Sequence, residues 1–406
     1  MLLTFIFILA LFLYTLISGR LDRTFVTGPM IFTMAGAILV LLWPPIRSQQ
    51  ADFETFLRIS EMALILLLFA DASRTNLKVL ADIGSLPTRL LSIGMLLTIC
   101  LGTALAKSIF PELTWWEAGI LSSILAPTDA GLGMVIVNSA KVPVSVRQSL
   151  NVEAGLNDGL SVPFMLFFVA LATAGPGGVE TGLLQYMGQQ LGFGALVGVG
   201  IGYVGGALLN KAEKLEWIQE NMKGLGIVAL PILCLLACEP IGASAFIASF
   251  VAGLSAQASH PEIAPHSVAF TEEWGQGLSF LVFFLFGFLL ADLFGTIVAT
   301  AWLYALLSLT VTRMIPVALS MMGSGMSRST LLFMGWFGPR GLASIVLGMV
   351  FMKQEAQLPG EPTIQSAILA TVALSIFLHG ATAPVGIGWY SRRIETLSSD
   401  APELME

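Results

Sequence analysis

The sequence predicts an all-α polytopic membrane protein of about thirteen transmembrane helices, arranged as two inverted six-helix repeats whose fifth and twelfth helices are broken. Three observations carry this expectation. The chain has 406 residues, 56% of them hydrophobic and only 11% charged, where a soluble domain carries about 25% charged residues, and its mean hydropathy is +0.85. Apolar runs of about 17 to 25 residues, the length an α-helix needs to cross a hydrocarbon core of about 30 Å, recur from end to end. Two of these runs, at corresponding places in the two halves, are interrupted by proline and glycine.

Splitting the chain at proline, glycine and charge clusters gives segments near 2–18, 26–43, 53–70, 85–108, 116–138, 150–173, 182–209, 223–238, 241–256, 274–290, 292–313, 328–352 and 365–390. They form a single membrane domain (1–406) with a first repeat at about 2–173, a linker helix at about 182–209 and a second repeat at about 223–390. A short cytoplasmic tail follows at 391–406. The run from Leu2 to Ser18 has no basic stretch before it and no small-residue cleavage site after it, so it reads as a retained helix and not as a signal peptide. Cytoplasmic loops collect Lys and Arg. The odd-numbered loops and the C-terminus hold fourteen of these, among them Arg20, Arg23, Lys78, Arg89 and Arg313, while the even-numbered loops hold only Arg47, Lys107 and Lys353. The asymmetry places the N-terminus outside and the C-terminus in the cytoplasm.

The net charge of −7 is spread over short loops; with no basic face, nucleic acid is excluded as a partner. Cys100, Cys234 and Cys238 lie in apolar runs without a His or acidic neighbour at zinc-ligand spacing, which favours packing over metal binding. The Gly/Ala/Ser-rich run from Gly242 to Gly253 reads as a close helix-packing surface. Glu54, Arg58 and Glu61 stand at helical spacing and read as local pairs. His260 and His266 fall in the loop 257–273 and read as solvated.

Inverted repeats place their binding site at the midplane, where the paired helices unwind. The fifth helix is interrupted at Ala126-Pro127-Thr128-Asp129-Ala130-Gly131-Leu132-Gly133 and the twelfth at Phe337-Gly338-Pro339-Arg340-Gly341. Proline removes an N–H and glycine weakens a helix, so both stretches can turn backbone groups toward a ligand. Ionisable groups at bilayer depth are costly and persist for pairing or for function. Those expected here are Asp129, Glu153, Asp158, Arg340 and, nearer the membrane surface, Glu61. On the sixth helix Glu153 and Asn157 share a face while Asp158 points elsewhere. Arg340 needs a fixed anion, and Glu153 is its expected partner, which leaves Asp158 free to titrate. A hard monovalent cation wants oxygen ligands; Asp158, Asp129, Thr128 through its hydroxyl or carbonyl, and unwound carbonyls can supply them.

The string Glu153 to Gly159, EAGLNDG, resembles the E-S-x-x-N-D motif of the NhaP/NHE-type branch of the monovalent cation:proton antiporters. APTDAGLG is similar to that family's unwound Thr-Asp-Pro helix, GPRG to its arginine segment, and Phe69-Ala70-Asp71 with Leu77 to its acidic third-helix signature, although Ala72 and Ser73 replace the usual glycines. The resemblance covers essentially the whole chain. It implies a homodimeric plasma-membrane antiporter serving pH homeostasis, without a cofactor, that exchanges Na⁺ (or Li⁺) for H⁺ in a lipid bilayer, with K⁺/H⁺ exchange by the same mechanism as the alternative. It further implies cation and proton binding at Asp158, Asp129 and Thr128, a structural set of Glu153, Arg340 and Asn157, and Asp71 lining the cytoplasmic approach. Ala154 stands where archaeal relatives have a serine, which leaves selectivity among the three cations open. Relatives with two consecutive aspartates are associated with electrogenic exchange. Asn157 before Asp158 therefore points to electroneutral exchange. Three other classes fit less well. An intramembrane protease would leave Arg340 and Glu153 without a task, a Na⁺-coupled organic-anion symporter would need a basic or hydroxyl-rich pocket, and a channel would need a filter motif.

Overall fold

The computed structural model describes residues 2–21, 24–44, 46, 53–74, 85–173, 182–261, 265–354, 356–397 and 401–404. Arg23, Arg47, Leu77 and Lys78 lie outside the described residues, as does the side chain of His266. Among the described residues the chain is helical, without strands. The uninterrupted helices of the first part are α1 (Leu2–Leu21), α2 (Gly28–Leu42), α3 (Phe53–Arg74) and α6 (Val144–Thr173). Between them, α4 (Leu86–Ile109) contains a π turn at Leu90–Gly94, and α5 is split into α5a (Trp115–Ile124) and α5b (Ala130–Val137). Then follow α7 (Gly182–Lys214), α8 (Glu220–Cys238), α9 (Ala245–Ser259) and α10 (Pro265–Leu293). The last helices are α11a (Ala299–Leu309), α11b (Val311–Ser320), α12a (Arg328–Trp336), α12b (Leu342–Lys353) and α13 (Glu361–Ile394). Among the described residues, eight helical stretches are long and apolar enough to cross a membrane, and α2, α9 and α12b are shorter apolar helices.

The helices pack in two groups. One joins α2 and α3 to α10, α3 to α9, and α7 and α8 to α9; the other joins α4 to α5a, α5a to α6, α11a to α13 and α11b to α12a. Contacts of α3 with α12b and α6 unite them. Lipid tails are as apolar as leucine, so helices associate here by close packing more than by a hydrophobic drive. The small-residue run beginning at Gly242 is such a surface: Ala248, Ala252 and Ala256 of α9 are fully buried against α7 and α8 together with Cys234 and Cys238. The helices near the site are also stapled by polar ends. Thr114 and Glu117 form a capping box at the start of α5a, and the Glu117 carboxylate also accepts from the Gly360 N–H at 2.8 Å, just before α13. At the start of α12a, Glu403 accepts from the Ser327 N–H at 3.1 Å and the Thr330 hydroxyl at 2.8 Å.

The structure changes several expectations. The eleventh helix does not end at residue 313 but continues to Ser320, so Arg313 is a buried side chain within α11b, 4% exposed, and not a loop charge. The loop 257–273 is mostly helix, and His260 is buried, 3.0 Å from the Glu213 carboxylate through Nε2. Arg58 meets Glu61 at 3.8 Å as expected, but its shorter contact, 2.7 Å, is to Glu239.

Candidate functional site

Both predicted breaks are present. The fifth helix unwinds over Leu125–Asp129, with Gly131 and Gly133 already inside α5b, and the twelfth over Phe337–Gly341. A helix N-terminus leaves N–H groups without intrahelical partners, and inside a membrane each of these must find one. Asp129 supplies partners for two half-helices at once. As the N-cap of α5b it accepts from the Leu132 N–H at 3.0 Å through Oδ1, and through Oδ2 it accepts from the Leu342 N–H of α12b at 2.5 Å. Its own N–H donates to the Pro339 carbonyl at 2.8 Å. A carboxylate can accept both of these bonds, one at each oxygen.

Arg340 does the reverse. Fully buried, it directs its guanidinium to the carbonyls of Ala126 and Pro127 (2.8 Å to the latter) in the α5 break. Its backbone N–H donates to Ser375 Oγ of α13 at 2.6 Å, and Ser344 Oγ of α12b donates to the Ile124 carbonyl at 3.0 Å. The expected Glu153–Arg340 pair does not form. Glu153 is taken by Arg313, which approaches in a fork, Nη1 to Oε1 and Nη2 to Oε2 at 2.8 Å. Arg313 lies across the α12 break: a Cβ added to Gly338 would meet its Nε at 2.3 Å. The planar, bidentate guanidinium suits a buried carboxylate, and the second cation could pair with Glu153 only from α11b, an element whose C-terminal half the segmentation had cut away. A segment drawn to Ser320 would have shown Arg313 at membrane depth.

Asn157 holds Thr128 at two points. Its Oδ1 accepts from the Thr128 N–H at 3.2 Å, and its amide donates to Thr128 Oγ1 at 2.9 Å. Asp158, on the next position of α6, is buried, and its Oδ1 has no hydrogen-bond partner among the described residues. The charged groups acting on it are Asp129, Asp71 and Arg340. Asp71 reaches this region from α3: a Cβ added at Gly155 would stand 3.5 Å from its own Cβ. A cavity of about 20 Å³ lies beside Thr128 and Asp129, with Ala154 and Pro339 in its wall. That volume holds about one water-sized occupant. The site therefore joins two engaged carboxylates, Asp129 and Glu153, to one whose oxygen is buried without a partner.

A family model described as "Sodium/hydrogen exchanger, transmembrane" matches residues 6–386. The chain belongs to the sodium/hydrogen exchanger family. Among the chain's relatives is a protein described as a Na⁺/H⁺ antiporter in Schizosaccharomyces pombe, 30% identical over 156 residues (37% of this chain and 33% of that protein). Another is described as the K⁺/H⁺ antiporter NhaP of Alkalimonas amylolytica, 24% identical over 339 residues (79% of this chain and 55% of that protein). The alignments span about a third to about half of the curated relatives' length. The fold is shared with the sodium proton antiporter MjNhaP1 of Methanocaldococcus jannaschii. One structure of it matches with a TM-score of 0.76 at 20% identity, covering 97% of each chain, and another with 0.73 at 21%, covering 96% of this chain and 99% of that one.

Two outcomes follow from this geometry. A methyl group at Gly341 would lie 2.0 Å from Asp129 Oδ2, so Gly341→Ala should push α12b off its acceptor. Thermal unfolding in detergent should show a lowered Tm, and reconstituted protein should lose transport. Removing one member of a buried ion pair costs about 3–5 kcal/mol because the other stays charged and unpaired. Arg313→Ala and Glu153→Ala should each destabilise on that scale and the double variant by less than their sum, whereas strict additivity in the cycle would remove the pair.

Proposed function

We propose that the protein is a secondary active transporter that exchanges Na⁺, or Li⁺, for H⁺ across the plasma membrane, electroneutrally and by alternating access, with Asp158 taking the cation or a proton in turn. The observation that supports this best is the buried Asp158 oxygen without a hydrogen-bond partner among the described residues, beside a helix crossing where Asp129 and Glu153 are already engaged. Na⁺ would be held by Asp158, Asp129 and Thr128, since a small hard cation requires oxygens and Asn157 fixes the Thr128 hydroxyl. Asp129 remains the fixed anion that caps two half-helices while Asp158 alternates. One carboxylate that trades one proton for one monovalent cation moves no net charge. No covalent bond is made or broken, so the cycle is transport without enzymatic chemistry, and it calls for no resident cofactor.

The same reading has the N-terminus outside and the C-terminus in the cytoplasm, from the Lys/Arg asymmetry without Arg313. It takes the chain as one transporter domain of two inverted repeats, with Asp71 on the cytoplasmic approach. Homodimerisation in the lipid bilayer is part of the proposal. It rests on membership of the sodium/hydrogen exchanger family. K⁺/H⁺ exchange is the second reading. Ala154, in the cavity wall, has no side-chain oxygen, and selectivity between cations depends on the number and strength of the oxygens that replace the hydration shell.

Addition of Na⁺, Li⁺ and K⁺ separately to everted vesicles that hold a pH gradient tests the assignment. Na⁺ and Li⁺ should collapse the gradient and K⁺ should not; a response to K⁺ alone would move the assignment to the second reading. Protons compete for the carboxylate that binds the cation, so below its titration range the apparent cation KM should rise about tenfold per pH unit lowered. Asp158→Asn, an isostere of the protonated state, should abolish exchange while the protein keeps its Tm. Persisting Na⁺/H⁺ exchange in that variant would sink the mechanism, and a rate that responds to an imposed membrane potential would end electroneutrality.

A further inference from the structure

The unwound stretch between α12a and α12b is held from outside by one side chain of α13. His379, 2% exposed, has Nε2 at 3.0 Å from the Trp336 carbonyl, the last residue of α12a. Its Nδ1 lies 3.1 Å from both Ser375 Oγ and the Ser375 carbonyl, one helical turn earlier on α13, and that hydroxyl accepts the Arg340 N–H at 2.6 Å on the far side of the break. A carbonyl only accepts, so the tautomer with its proton on Nε2 donates to Trp336, and in that tautomer Nδ1 accepts from the Ser375 hydroxyl. The contacts then run in one chain: Arg340 N–H to Ser375 Oγ–H to the His379 ring, and His379 Nε2–H to the Trp336 carbonyl. It spans both lips of the gap. Trp336 is braced a second time, since its indole N–H donates to Thr382 Oγ1 of α13 at 3.0 Å.

We propose that His379 is a positioning residue for the exchange site, setting the width of the α12 break so that the Leu342 N–H meets Asp129 and the Arg340 guanidinium meets the Ala126 and Pro127 carbonyls. This rests on the transport reading for its effect on ion binding, but the brace itself is a property of the backbone. Widening the break moves the donor off Asp129 Oδ2, and the cation site changes shape without any ligand being removed. The imidazole supplies a donor and an acceptor at fixed separation, a combination that leucine lacks altogether and that glutamine reproduces at the Nε2 position, where its amide can still donate to Trp336.

The test compares His379→Leu and His379→Gln with the unmodified protein by two readouts. The first is deuterium uptake by peptides covering residues 337–345; the second is Na⁺-dependent proton exchange in proteoliposomes, resolved into KM and kcat. His379→Leu should speed uptake across the break and raise the apparent Na⁺ KM on the order of tenfold, the factor that loss of about 1.4 kcal/mol of hydrogen bonding gives. His379→Gln should stay close to the unmodified protein in both. A merely structural histidine would lower the yield of folded transporter and leave KM where it was. Unchanged uptake and KM in His379→Leu, or a glutamine variant as impaired as the leucine one, would overturn the proposal. Should His379→Leu fail to assemble, Ser375→Ala takes its place, with faster uptake and raised KM expected and wild-type values fatal. Absence of Na⁺-dependent exchange in the unmodified protein would end the transport reading alone, because uptake over 337–345 still decides the brace.

Discussion

Two interrupted helices cross with their charges exchanged. Asp129, on α5, is committed to the N-terminal end of α12b; Arg340, on α12, is committed to the carbonyls that the α5 break exposes. Each break thus supplies the partner for backbone groups that the other leaves open, and in a medium without water no cheaper partner is at hand. Opposite charges attract strongly where the dielectric is low. Here, however, they are spent on main-chain dipoles and not on each other, so the crossing has a defined geometry without a direct salt bridge at its centre.

The remaining charges sort themselves around this exchange. Glu153 and Arg313 close a forked pair next to the α12 break, with Gly338 leaving room for the guanidinium. Asn157 is used up by Thr128. Of the acidic groups on α6, only Asp158 is left with an oxygen lacking a partner among the described residues.

The elements legible in the sequence were those with a local chemical signature. Proline and glycine inside apolar runs located both breaks, and the Gly-to-Ser run starting at Gly242 marked a packing surface. The acids of α6 identified Glu153 and Asp158 as buried. What stayed hidden depended on partners far along the chain. The pairing of Glu153 was assigned to Arg340 because Arg313 had been placed in a loop, and a boundary error of seven residues, from 313 to Ser320, was enough to hide a buried cation. Asp129 was read as a cation ligand from its place in an unwound stretch, but its capping of α12b is a tertiary fact without any local trace. His379 carries no sequence signature beyond Ser375 one turn before it, because its other partner is a backbone carbonyl of another helix.

The contact between Asp129 and Leu342 joins positions 213 residues apart, and this has a bearing on biosynthesis. While the ribosome is still making the second half of the chain, α5b is already in the bilayer with only one of its aspartate's oxygens satisfied, and the carbonyls of Ala126 and Pro127 await an arginine not yet translated. The first half is therefore delivered to the membrane unfinished. A chain that stops short of residue 342 leaves Asp129 Oδ2 without the N–H that it meets in the finished fold.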